Sequence, residues 1–471
     1  MNRRTFLSAT GLAAASAITS STSGQNRSKD QRPNILVIMT DQQSANMMSI
    51  AGNPHLHTPA MDSLARKGTR FTKAYVTNPI CVPSRTSFLT GTMPHVNGVN
   101  FNTNDSSFGP KTPPLSKVVK EAGYRIGYVG KWHIPHAIED SDWNGFDFVK
   151  HPKSNEVDPL IPDGCSEFLA QESDAPFLLF ASFVNPHDIC ETARILSGIE
   201  DRFKNGLIPP FPEVDHCPEL PHNHSIPDDE PEVIRKHQAI PTNSRTYPSA
   251  QWTEEQWRHY RWAYARLNEL VDHQIGKVLE LLKTHGVEDN TVIIFTSDHG
   301  DGNGAHQWNQ KTLLYEETAG IPFIIFDPRN PTTGTVNQEH LVSMGIDLFP
   351  TIFDYAGIKQ PKGLMGLSAR PETTEGNGPS HDYIVAENDL HPKYGESGGV
   401  FGRMIRTQKY KYICYSEGAH HEQLFDLEKD PGEMRNLVRN RKHKAILDEH
   451  RNLLSEYIRD TEDFFPLSQV G

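Results

Sequence analysis

The sequence predicts an α/β protein. Its main body is a mostly parallel central sheet flanked by helices, and a small C-terminal α+β domain with an antiparallel sheet follows it. Three observations carry this reading. Short unbroken apolar runs recur at 34–40, 125–130, 177–184, 291–297 and 321–326, the pattern of strands covered on both faces. Helical periodicity lies between them, most clearly over 253–283, where Trp257, Tyr260, Ala263, Leu267, Leu270, Val271, Ile275, Val278, Leu279 and Leu282 recur at helical spacing. Near the C-terminus the strand-like pieces shorten to 383–387, 400–407 and 409–415, and a helix follows at about 442–459.

A length of 471 residues suits one large α/β domain plus a small one. Residues 1–25 read as an export signal: Arg3-Arg4 is a twin-arginine pair, Leu7 to Ile18 is mildly apolar, and Ala15-Ser16-Ala17 is a small-residue cleavage site. That predicts transport to the periplasm or the cell exterior. The main domain is assigned to 33–367, a Pro/Gly-containing linker to 368–380 and the small domain to 381–471. The stretch 205–250, rich in Pro, His, Asp and Glu, reads as a long surface excursion near the substrate entrance. No run of 18 apolar residues exists and no Cys precedes Cys81, so neither a membrane span nor a lipid anchor is expected. The net charge of −13 argues against nucleic acid as a partner. A local cluster of cations can still hold a small anion. None of the five Cys forms a C-x-x-C pair, which disfavours a thiolate zinc site, and the odd count leaves at least one thiol unpaired.

Ligands of open parallel sheets sit at the carboxyl ends of the strands. Two of the apolar runs end in Asp41-Gln42 and in Asp298-His299-Gly300-Asp301. Gly130-Lys131-Trp132-His133 and Asn185-Pro186-His187-Asp188 follow two more. Between them, Cys81 to Gly91 reads C-x-P-S-R followed by L-T-G. This segment resembles the formylglycine-dependent (type I) sulfatases of the alkaline-phosphatase superfamily. The G-K-W-H segment, the segment His306 to Lys311, Arg403 to Tyr412 and Gln423 to Glu433 are similar to further blocks of that family.

The resemblance implies an alkaline-phosphatase-like fold and a sulfatase that cleaves sulfate esters. A formylglycine-generating maturation enzyme would oxidise Cys81 to an aldehyde. The hydrated aldehyde carries two hydroxyls: one attacks sulfur, and deprotonation of the other expels sulfate. Arg85 would steady the hydrate and the carboxylates. One Ca2+ per chain would be held by Asp41, Gln42, Asp298, His299 and the modified Cys81. Here the chain departs from the commonest pattern, with Gln42 for a second Asp and His299 for Asn. Imidazole is an unusual calcium partner, so His299 either ligates the metal or contacts sulfate. Lys131 would bind sulfate oxygens, and His133 would take the proton of the second hydroxyl. His187 would protonate the leaving alcohol, and Lys311 would close the sulfate pocket. His306 and Trp308 are expected to line the subsite for the rest of the substrate. His95, Asn100 and Asn102 are further candidates for substrate contact, whereas His55 and His57 read as surface residues. The expected substrate is a sulfated carbohydrate, a glycosaminoglycan or algal polysaccharide fragment. The alternatives are a phosphonate or phosphodiester hydrolase of the same superfamily, or a catalytically silent glycan-binding protein of the same fold.

Overall fold

The apolar runs of the sequence become the centre of an eight-stranded sheet. The computed structural model describes residues 32–151, 157–198, 209–239, 251–330, 334–374, 378–390 and 399–471. The expected export signal at 1–25 lies outside them. The strands are β1 (Asn34–Asp41), β2 (Thr69–Tyr75), β3 (Arg125–Gly130), β4 (Phe148–Lys150), β5 (Phe177–Pro186), β6 (Thr291–Ser297), β7 (Phe323–Phe326) and β8 (Thr335–Ser343). Their order is β4-β3-β5-β1-β6-β7-β2-β8, parallel except that β7 runs against both β6 and β2.

The alternation of β1 explains why its sequence is apolar throughout. Ile35, Val37 and Met39 enter the core on one face with Phe180, Phe349 and Ile352, while Leu36 and Ile38 enter the other with Phe168, Ile275 and Phe295. Each such side chain contributes about 1.5–3 kcal/mol on burial. The helix Glu254–Thr284 covers the second face through Val271, Ile275, Val278 and Leu282. It begins at a capping box, in which the Thr253 hydroxyl accepts from Gln256 N and the Gln256 side chain accepts from Thr253 N. Helices Cys81–Thr90 and Met344–Ala356 lie on the first face.

A second sheet follows, of strands β9 (Ile384–Leu390), β10 (Val400–Arg406), β11 (Tyr410–Tyr415) and β12 (Glu422–Asp426), antiparallel in the order β12-β11-β10-β9. One face packs on helix Lys444–Asp460 through Ile405, Tyr412, Leu424, Leu454 and Tyr457. The other, through Ile384, Ala386, Met404 and Ile413, shares a core with Tyr75, Leu313, Leu314 and Tyr315.

Three strands, β2, β4 and β8, were not expected from the sequence, and the expected linker contains a short helix, Arg370–Thr374. The excursion at 205–250 is corrected in part. Its helix Glu232–Gln238 buries Val233 and Ile234 in the core shared with Tyr315 and Phe425, so that piece is packed and not a free surface loop. All five cysteines are free thiols.

Candidate active site

Four adjacent strands deliver their carboxyl ends to one place. β1 ends at Asp41, and Gln42 turns the chain there with φ +70°. Asp298 and His299 follow β6, Lys131 and His133 follow β3, and His187 follows β5. Gly130, at φ +107°, is required at the end of β3, since a Cβ there would strike the Ser182 carbonyl oxygen. That close approach lets Lys131 N donate to Ser182 O at 2.8 Å. Cys81 opens the helix Cys81–Thr90, and Asn102 Oδ1 accepts from Val82 N at 2.8 Å in its first turn.

Arg85, one turn into the helix and fully buried, joins the two carboxylates. Its Nε donates to Asp298 Oδ2 at 2.7 Å and an Nη to Asp41 Oδ2 at 2.9 Å. The other Nη donates to Ser182 Oγ at 2.9 Å and to Lys131 O at 3.0 Å. Lys131 Nζ also meets Asp41 Oδ2, at 2.6 Å. Both Oδ2 atoms are thus consumed by cations, and the Oδ1 atoms face His299. His299 Nε2 lies 3.8 Å from Asp41 Oδ1, 3.6 Å from Asp298 Oδ1 and 3.2 Å from Cys81 Sγ. His299 Nδ1 lies 2.8 Å from the Gly300 carbonyl, which can only accept, so Nδ1 carries a proton and Nε2 is the ring atom turned toward the cluster; burial lowers this imidazole, but Asp298 and Cys81 outweigh it and raise it above its ordinary value. Lys311 Nζ completes the cluster, 3.0 Å from Cys81 Sγ and 3.1 Å from Gln42 Oε1.

The electrostatics follow from this packing. Burial and Asp41 push the Cys81 thiol up, but Lys311, Lys131 and His299 outweigh them and hold it well below the ordinary thiol range. Burial likewise pushes Asp41 up, and Lys131, His187, Arg85 and Lys311 bring it well below the usual carboxylate range. Burial raises Asp298 to about 7, countered by Arg85 and reinforced by Asp41. Burial, then Lys131 and Lys311, push His187 down to about 4. Burial also lowers His133, with Cys81 hydrogen bonding opposing it. Asp41, Cys81, Asp298 and His299 offer ligand atoms that all lie within 4.8 Å of one another, a donor set of two carboxylates and one imidazole beside the sulfur. Such a set fits a divalent cation, which would offset the burial and the neighbouring Asp41 charge that raise Asp298.

The structure does not bring every expected residue here. Gln42 turns Oε1 to Lys311 and gives its Nε2 to Asp301 Oδ2 at 2.8 Å. His306 is fully buried, stacked on Tyr315 at 4.1 Å, and its Nε2 meets Gly432 O at 3.1 Å. Trp308 is 2% exposed and donates to Lys311 O at 2.9 Å. Both side chains are buried in the loop that carries Lys311. His95 turns to Glu387, 2.5 Å away, and Asn102 serves the helix start. His55 and His57 are exposed. Sequence reasoning missed Ser182, which holds Arg85, and Asp301, which accepts from Gln42 and from Tyr260 Oη at 2.7 Å. Asp301 had a signal in the run Asp298-His299-Gly300-Asp301; Ser182, inside an apolar strand, had none. A cleft of about 490 Å³ adjoins the cluster, lined by Lys131, His133, His136, His151, Asn104 and Ser106 among others.

Comparison with known proteins gives concordant results. The Sulfatase family model matches residues 33–358, and the model described as N-sulphoglucosamine sulphohydrolase, C-terminal, matches 304–460. The chain is 31% identical over 451 residues to a Delta 4,5-hexuronate-2-O-sulfatase of Bacteroides thetaiotaomicron, covering 92% of this chain and 90% of that one. It is 27% identical over 515 residues to an N-acetylglucosamine-6-O-sulfatase of the same bacterium, covering 93% and 88%. The solved structure of a 2-O GAG sulfatase superposes with a TM-score of 0.80 at 31% identity, covering 92% of this chain and 93% of that one.

Proposed function

The chain belongs to the sulfatase family and is a sulfuric ester hydrolase, and we propose that it removes sulfate from glycosaminoglycan fragments outside the cytoplasm. A 2-O-sulfated hexuronate is the first substrate to try, because the relative named for that activity spans nearly the whole chain. In the active form Cys81 is a formylglycine, whose hydrate supplies an attacking hydroxyl and a second hydroxyl that releases sulfate.

The observation that carries this reading is the meeting of Lys311 Nζ, His299 Nε2 and Cys81 Sγ at 3.0 and 3.2 Å beside Asp41 and Asp298. Asp41, Asp298, His299 and the Cys81 side chain would hold a Ca2+ ion, which would supply polarisation of a sulfate oxygen and favour the ionised hydrate. Ligation by His299 is supported by the position of Nε2, which faces Cys81 Sγ and the Oδ1 atoms of both carboxylates while Nδ1 is held by the Gly300 carbonyl. Arg85 fixes both carboxylates and, through Lys131 O, the loop that carries Lys131. Lys131 and Lys311 supply positive charge to the sulfate oxygens. His133 takes the proton from the second hydroxyl, and His187 donates one to the leaving alcohol. His187, held neutral by burial and two lysines, becomes a competent acid when an anionic sulfate offsets those lysines.

Export by the twin-arginine signal is part of the same reading, since sulfated glycans are exterior polymers. The test is product analysis on a panel of sulfated mono- and disaccharides, with an aryl phosphonate alongside. Preferential loss of sulfate from a uronate supports the proposal. Faster turnover of the phosphonate than of any sulfate ester would transfer the chain to phosphorus chemistry.

A further inference from the structure

Lys311 stands in a loop whose backbone is under unusual constraint. Asn303, His306, Gln307, Gln310 and Thr312 all have positive φ, between 46° and 82°, and Lys311 lies directly between two of them. Non-glycine residues hold such conformations only where surrounding contacts over-determine them. Those contacts come from two directions. Thr312 N donates to Pro79 O at 2.9 Å, two residues before Cys81. The Thr312 carbonyl accepts from Asn388 Nδ2 at 2.8 Å, and Asn388 is on β9 of the second sheet.

The rest of the loop is held by the same sheet and its sequel. Lys411 Nζ, fully buried, donates to Leu314 O at 3.2 Å and pairs with Glu316 at 2.7 Å and Glu433 at 2.8 Å. Gln423 Nε2 donates to Tyr315 Oη at 2.8 Å, and Glu316 N donates to Glu433 Oε2 at 2.7 Å. Asn388 shares its face of β9 with Ile384, Ala386 and Leu390, and that face packs against Leu313 and Leu314. Gly402, its partner on β10, leaves room for the amide, since a Cβ there would strike Asn388 Oδ1.

We propose that Asn388 is a positioning residue for sulfate-ester cleavage, acting through the Thr312 carbonyl to hold Lys311 Nζ at the Cys81 side chain. The second sheet is thereby part of the reaction apparatus. This rests on the role given to Lys311 above, and the test separates the two. N388L keeps the branched outline of the side chain and removes the donor. It is compared with K311M and the double variant N388L/K311M, all as full-length matured enzyme, by kcat, KM and thermal melting.

A small displacement of a reacting group costs one to two orders of magnitude in rate. N388L is therefore expected to lower kcat/KM about 10- to 100-fold, more than its melting temperature would account for at the assay temperature. The double variant is expected to be no slower than K311M alone, because a displaced lysine cannot be lost twice. Multiplying losses, or wild-type kcat/KM in N388L, would overturn the proposal. Full activity in K311M would instead remove the role of Lys311 and the proposal with it. N388S, too short to reach Thr312 O, serves as a second variant read in the same way if N388L does not fold.

Discussion

Arg85 Nε meets Asp298 Oδ2 at 2.7 Å across 213 residues of sequence, and the same guanidinium reaches Asp41 at 2.9 Å. Helix Cys81–Thr90 is thereby fastened to β1 and to the end of β6 by one fully buried side chain.

Removing that side chain takes the guanidinium from buried Asp298 and leaves buried Asp41 with Lys131. R85M should lose about 3–5 kcal/mol of stability along with its activity. Urea unfolding at neutral pH measures this. A loss under about 1 kcal/mol would mean that the carboxylates find other partners without cost.

The nucleophile is tested by mass and by rate together. Mature enzyme should be about 18 Da lighter than its sequence mass after signal removal, the difference between a thiol and an aldehyde at Cys81. C81A should fold normally and lose about 10,000-fold or more in turnover. Active protein with an intact thiol would defeat the formylglycine reading.

His187 links stability to pH. It sits near 4 in the folded chain, through burial and then Lys131 and Lys311, and returns to its ordinary 6.5 on unfolding. Between those values the unfolded chain binds a proton that the folded chain refuses. Stability therefore falls as pH drops from about 6.5 to about 4, by up to roughly 3 kcal/mol from this group. H187Q should flatten that part of the curve relative to wild type, and should turn over about 100- to 1,000-fold more slowly. Parallel pH curves for the two proteins would contradict the assignment.

Metal removal should act on stability as well as on rate. Calcium at 100 times its dissociation constant adds about 2.7 kcal/mol, so apo-protein should melt lower and recover on calcium addition. D298N should lose most of that recovery. A larger recovery with zinc than with calcium would mean that the His299 imidazole dictates the metal.

His306 and Trp308 should behave as packing residues. H306A and W308F are expected to lower stability by about 1–3 kcal/mol while leaving the ranking of sugar substrates unchanged. A changed ranking in a fully stable variant would restore them to the substrate subsite.

The central fold was legible because β1, β3, β5 and β6 are covered on both faces, which makes their sequences continuously apolar. β2 escaped notice because Arg70, Thr72 and Lys73 are only partly buried and interrupt the run. β8 escaped because its first five residues are largely exposed, and β4 because three residues carry little pattern. In the site, Asp41, Lys131, His187, Asp298 and His299 stood out because each ends or closely follows an apolar run, and Cys81 because its segment resembles a family block, which also supplied the expected roles. Ser182, Tyr260 and Asn388 were not, because each acts on a residue far away in sequence, and only the folded chain brings the pairs together.

Cys81 has no accessible surface, walled in by Lys311, His299 and Asp41. A protein catalyst has to thread the target residue through its own groove, and a side chain enclosed on all sides gives it no purchase. If Cys81 is converted as proposed, the conversion would have to precede closure of the domain, so slow closure would favour a fully converted population while fast closure would trap inert molecules.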